Sequence, residues 1–134
     1  MRRFTETEKL DPSHVHHVNL LVRDLQTAKQ QYASLFDVDF IDESLPSRGV
    51  ITARFLAGET WIVLVQPVGD GAPMRRLREK GEGLFLLSLG VHQDVHTSPN
   101  LTPMRTGLSS WPVADIDPNS LSNGQLQVTF SQTD

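Results

Sequence analysis

The sequence predicts an α+β fold in which one β-α-β-β-β series is followed by a second, helix-poor series of strands. Three observations lead there. A β-branched, apolar segment at 15–22 runs straight into an amphipathic helix, and three further strand-like segments follow that helix. The C-terminal half holds more strand-like segments, at 84–91, 109–113, again around 114–116, and at 125–131. Between them no apolar stripe of helical period is long enough for a second packed helix.

Taken in order, residues 1–13 are polar, end in Asp11-Pro12-Ser13, and read as a flexible lead-in to one domain at 14–134. The first strand, 15–22, is VHHVNLLV, and Asp24 is placed to cap the helix after it. In that helix Leu25, Ala28, Tyr32 and Leu35 or Phe36 recur at spacings of three and four, which makes one apolar stripe to pack on a sheet. Strands are expected at 37–43, 49–56 and 60–66, the last two close enough across AGE for a hairpin. A break, PVGDGAP, precedes a short basic helix at 74–80, where Pro73 suits the first turn. The strand at 84–91 is apolar on both faces and must be covered on both. The following HQDVHTSPNLTPMRTG reads as loop, rich in Pro, Ser and Thr.

Composition narrows the function classes. The 134 residues, 38% hydrophobic, suffice for one ordinary core, and a net charge of −4 without basic blocks argues against nucleic acid or anionic membrane as partner. There is no cysteine, so thiol nucleophiles, disulfides and thiolate metal sites are excluded. No apolar run approaches the roughly 20 residues of a membrane span, and the N-terminus lacks a signal-peptide core, so a cytoplasmic protein is expected.

Several motifs carry a family likeness. HVNLLVRDL at 17–25, the helix with Ala28, Tyr32 and Leu35-Phe36, and VLVQP at 63–67 resemble the first module of the vicinal oxygen chelate superfamily. That group includes glyoxalase I, methylmalonyl-CoA epimerase, extradiol dioxygenases and the bleomycin- and fosfomycin-resistance proteins. The stretch from Pro67 through Gly81-Glu82-Gly83-Leu84 is similar to the epimerase branch, and Ile116-Asp117-Pro118 with Asn123-Gly124 resembles the closing hairpin of a second module. The resemblance implies two βαβββ modules around a cavity, here 14–66 and 84–131, the second lacking most of its helix.

It also implies a metal held by one side chain from each of four strands. The positions correspond to His17, Val63, Leu86 and Val128, or to Gln127 or Thr129 if the last strand slips by one. Three of the four are apolar and supply no lone pair, so no metal and no other cofactor is expected. His14 and His16 extend an HVHH cluster, but neighbours on a strand point to opposite faces, so His16 and His17 do not share an ion.

Alternation selects His17, Asn19, Trp61, Val63, Leu86, Ser88 and Val128 as the cavity lining, and sends Phe85, Leu87 and Leu89 to a back face that segment 95–108 or a second copy must cover. Each residue has a plainer reading: Asn19 as a satisfied inward amide, Trp61 as core, Arg75, Arg76 and Arg78 as a solvated basic face rather than a phosphate site. The sequence thus favours a metal-free binder of a small, mostly apolar molecule, working as a homodimer, over an enzyme. The alternative is an isomerase or lyase of glyoxalase type with His17 as general base, whose imidazole exchanges protons near neutrality.

Overall fold

A computed structural model describes residues 9–94, 98–122 and 125–131. The chain divides into two compact units, one of residues 17–85 and the other of residues 1–16 with 86–134, so that the divisions fall inside two strands. The fold is α+β, with eight strands and two α-helices among the described residues.

In the first unit β1 (Pro12–Leu21) contributes its second half, which lies parallel to β4 (Thr60–Pro67), with His17 opposite Trp61 and Asn19 opposite Val63. β3 (Val50–Ala57) runs antiparallel to β4 through a two-residue turn in which Gly58 takes φ +63°, a conformation that costs glycine little. β2 (Ile41–Leu45) pairs with β3, so the order is β2-β3-β4-β1. Helix α1 (Leu25–Leu35) starts where expected, because the Asp24 carboxylate accepts the Thr27 N–H at 2.9 Å. Its buried stripe, Leu25 and Ala28, forms a core with Val22, Ala53 and Leu64, against which Leu20, Tyr32, Phe40 and Ile51 pack. The α1 side of the sheet is therefore apolar, and alternation turns His17, Asn19, Thr52, Arg54, Trp61 and Val63 to the opposite face. Helix α2 (Ala72–Lys80) begins two residues earlier than the sequence suggested, with Pro73 inside its first turn, and buries Pro73 and Leu77.

In the second unit β5 (Gly83–Val91), from residue 86 onward, lies parallel to β8 (Leu126–Thr129). β7 (Pro112–Asp115) runs antiparallel to β8 and to a short β6 (Arg105–Thr106). Val91, Ala114, Val128 and Phe130 form its core, with Leu10, Leu101 and Ile116 packed against them.

Three expectations are corrected here. Residues 1–8 of the predicted lead-in lie outside the described residues, but 9–13 are tied down. Gln93 accepts the Asp11 N–H at 3.0 Å and donates to the Lys9 carbonyl at 2.8 Å, and Ser13 Oγ donates to the Gly90 carbonyl at 3.0 Å, so β1 starts at Pro12. The strand expected at 37–43 starts only at Ile41; Asp37 and Asp39 are exposed before it. The segment read as loop after β5 contains β6, where Arg105 holds Asp115 through two hydrogen bonds of 2.9 and 3.2 Å, and a bridge from Leu101 to Ile116. Asn123 and Gly124 lie outside the described residues.

Candidate functional site

The first unit gathers four of the proposed lining residues. His17, Asn19, Trp61 and Val63 are neighbours in register on the face of the sheet opposite α1. His17 is 3% exposed, and Val63 is fully buried. The Asn19 Oδ1 is buried and accepts no hydrogen bond, which is uncommon for a buried amide carbonyl.

The same face carries a charged pair that the sequence reading did not single out. Arg54 is 6% exposed, its Nη1 donates to Glu43 Oε1 at 2.7 Å, and its guanidinium lies 5.4 Å from the centre of the Trp61 ring. The Thr52 hydroxyl donates to the Glu43 carbonyl at 2.8 Å, which fixes β2 against β3 beside the pair. The signal was present: one arginine is the single charged residue of the VITARFLA strand, at a position opposite Val63. A cation there is either paired and useful or very costly.

In the second unit Ser88 is fully buried and shares a 2.7 Å hydrogen bond with the Thr129 hydroxyl, while Leu86 is half-buried two residues away and so on the same face. Val128 does not join them. Ser88 stands opposite Gln127 in the ladder and Val128 opposite Leu89, so Val128 points to the other face and into the apolar core with Phe130. The polar side of β8 is buried, since Gln127 is 5% and Thr129 is 3% exposed. Gln127 Nε2 donates to Asp115 Oδ1 at 3.2 Å, and its Oε1 is buried without a partner. Leu84, expected to be covered, is 69% exposed.

The histidines upstream form a local arrangement of their own in the second unit. The single Ser13 hydroxyl proton goes to the Gly90 carbonyl, so the 2.8 Å contact with His14 is an Nδ1–H donated to Ser13 Oγ. A side chain at Gly90 would meet His14 Cε1 at 2.9 Å, so glycine is what lets the ring lie there. His16 stands edge-on to Trp111, centroids 4.7 Å apart, and burial lowers its pKa below the ordinary 6.5, with the charge on His14 adding to that. A base whose folded pKa is depressed stabilises the fold above the unfolded pKa, and that contribution is lost as pH falls through the folded value. Unfolding midpoints in urea should therefore drop on acidification below neutrality, and less so in His16→Phe.

The metal implied by the family resemblance does not fit these residues. Val63 and Leu86 offer only aliphatic carbon, and Val128 sits in an apolar core, which leaves the His17 imidazole as sole donor of the four. Among the described residues no three His, Asp or Glu side chains are grouped to hold an ion. No described helix is long and apolar enough to cross a membrane.

Comparison with known proteins agrees with this architecture. The family model of the Glyoxalase/Bleomycin resistance protein/Dioxygenase superfamily matches residues 14–101. A hypothetical protein from Bacillus halodurans superposes with TM-score 0.75 at 20% identity, covering 94% of this chain and 96% of its own. Methylmalonyl-CoA epimerase from Streptomyces coelicolor, in complex with 2-nitronate-propionyl-CoA, gives 0.78 at 14% identity, covering 92% and 100%. The epimerase from Mycobacterium tuberculosis gives 0.78 at 16%, covering 91% and 90%. No curated protein matches. At these identities the solved structures speak for the fold alone.

Proposed function

Because the chain belongs to the Glyoxalase/Bleomycin resistance protein/Dioxygenase superfamily, we propose that it is a metal-free member that binds a small molecule on the face of the first unit opposite α1. The observation that carries this reading is the Asn19 carbonyl. A buried acceptor left unpaired costs about 1–3 kcal/mol, and a ligand N–H or O–H offsets that cost. The ligand is accordingly mostly apolar, to suit Trp61 and Val63, with at least one hydrogen-bond donor aimed at Asn19. The Glu43 carboxylate, the acid on this face, is held by Arg54 rather than poised beside a substrate, which favours a binder over a proton-transfer enzyme.

The test is a small-metabolite screen by ligand-observed NMR on the wild type and on Asn19→Leu. The variant should keep or gain up to about 1 kcal/mol of stability, since it removes an unpaired polar atom, and should weaken binding of the hits at least about tenfold. A destabilised Asn19→Leu, with no compound bound by the parent, would sink the proposal.

Metal independence is tested separately. Elemental analysis of tag-free protein should find no stoichiometric Zn, Ni, Co, Mn or Fe, and a chelator should leave the thermal midpoint unchanged. One tightly held ion per chain, lost in His17→Ala, would overturn it. The same reading includes a homodimer, supported by Leu84 at 69% exposure on a strand whose Phe85, Leu87 and Leu89 are only half-buried. Sedimentation at micromolar concentration should show two copies; a monomer there counts against it.

A further inference from the structure

The first unit has a concavity on the α1 side of its sheet, where Leu20 and Ile62 point away from the His17 face. It encloses about 490 Å³, within the range of roughly 300–1,000 Å³ typical of small-molecule sites. Three rings line it. Tyr32, Phe36 and Phe55 lie with centroids 6.3, 6.0 and 6.4 Å apart pair by pair. Phe36 is 51% exposed although it belongs to this cluster, and Leu56, at 52%, extends the exposed apolar surface of the lining.

The charge at this pocket is of one sign. Asp37 is the sole charged residue of the lining, and among the described residues it has no cationic partner. The nearby Lys29 is engaged by Asp42 at 2.9 and 3.0 Å. That lysine also shows what the ring cluster accepts: its ammonium stands 5.6 Å from the centre of Phe40, which itself packs edge-on against Phe55. An aromatic wall with an acidic residue in its lining attracts positive charge twice, through the ring quadrupoles and through Coulomb attraction. It disfavours anionic ligands such as fatty acids.

We propose that this pocket is a binding site for an apolar organic ammonium ion, an alkyl- or aryl-ammonium group whose carbon skeleton contacts Tyr32, Phe36 and Phe55 and whose charge faces Asp37. It is independent of the site on the opposite face. The probe is benzyltrimethylammonium, titrated into the full chain by calorimetry and by amide NMR. Saturable binding with Kd on the order of 1 mM is expected for a ligand of this size, with the largest shifts at Leu20, Val38 and Ile62. Benzenesulfonate, with a similar ring and opposite charge, should not bind. Asp37→Asn and Phe36→Ala should each weaken the cation about five- to tenfold, the size of one lost ion or cation–π contact. Asp37→Asn should leave the thermal midpoint unchanged because Asp37 is exposed, whereas Phe36→Ala should lower it slightly because the ring packs on Tyr32 and Phe55. Asn19→Leu should leave the affinity as it was, which separates this site from the one on the other face. The proposal is overturned by no saturation at about ten times the expected Kd, by equal binding of benzenesulfonate, by an Asp37→Asn affinity equal to the parent, or by shifts centred on His17. It also fails if Phe36→Ala abolishes self-association while the ammonium never binds, since the pocket is then an interface between copies.

Discussion

Glu43→Ala should lower the free energy of unfolding by about 3 kcal/mol, the largest loss expected from any polar residue of the first unit. The cost does not come from the contact alone. Arg54 is almost fully buried, and removing Glu43 leaves its guanidinium with one anion fewer in a place where water solvates it poorly. The Glu43 side chain is itself 30% exposed, so part of the desolvation cost was never incurred on that side, and the effect falls at the lower end of what a fully buried pair would show. Replacing both partners at once, by Leu at 43 and Met at 54, removes the unpaired charge and should return stability to within about 1 kcal/mol of the parent. Chemical denaturation of the three proteins measures this directly. If the double variant is stable yet no longer binds the ligands that the parent binds, the pair is retained for recognition. A loss under about 1 kcal/mol in Glu43→Ala would instead mean that other groups satisfy the guanidinium.

The reason Arg54 escaped the sequence reading is instructive about what local pattern carries. Strand content at β3 was legible from Val50, Ile51, Phe55 and Leu56, and the hairpin from Gly58, because strand preference and turn chemistry are properties of neighbouring residues. Helix α1 was legible for the same reason, through its stripe and its Asp24 cap. A buried ion pair is a property of two strands. Glu43 meets Arg54 only after the β2-β3 register has been set, with Glu43 opposite Thr52 and Ile41 opposite Arg54. The early start of β1 and the short β6 have a similar origin, since both depend on partners outside the local pattern, Gly90 and Gln93 nearly eighty or more residues away for the one and Asp115 ten residues on for the other. That His17, Asn19, Trp61 and Val63 share one face of the sheet was readable, because it needs only parity along two strands and their parallel pairing. Val128 was not, because parity along β8 sorts residues into two faces without saying which face turns to which side.

Phe130→Ala should therefore cost about 3–5 kcal/mol and Val128→Ala about 2 kcal/mol, as large-to-small changes in a packed core do. Both side chains are 2% exposed and share one cluster with Val91 and Ala114, closed by Leu10, Leu101 and Ile116. The two changes leave voids that neighbouring strands cannot fill by small shifts, because Ala114 stands opposite Val128 in the β7-β8 ladder and is held there by backbone hydrogen bonds. Leu84→Ala is the control, since a side chain 69% exposed should change stability by no more than about 0.5 kcal/mol in the monomeric reference state. Thermal and urea unfolding of the three variants gives the ranking. The Val128 value decides the face: a residue lining a ligand space loses little when shortened, whereas one in a core loses both its transfer energy and its contacts. A Val128→Ala variant as stable as the parent would return Val128 to the Ser88 side and reopen the register of β8. A loss near the expected size places Gln127 and Thr129 on the Ser88 side, as the pairing of Ser88 with Gln127 in the ladder requires.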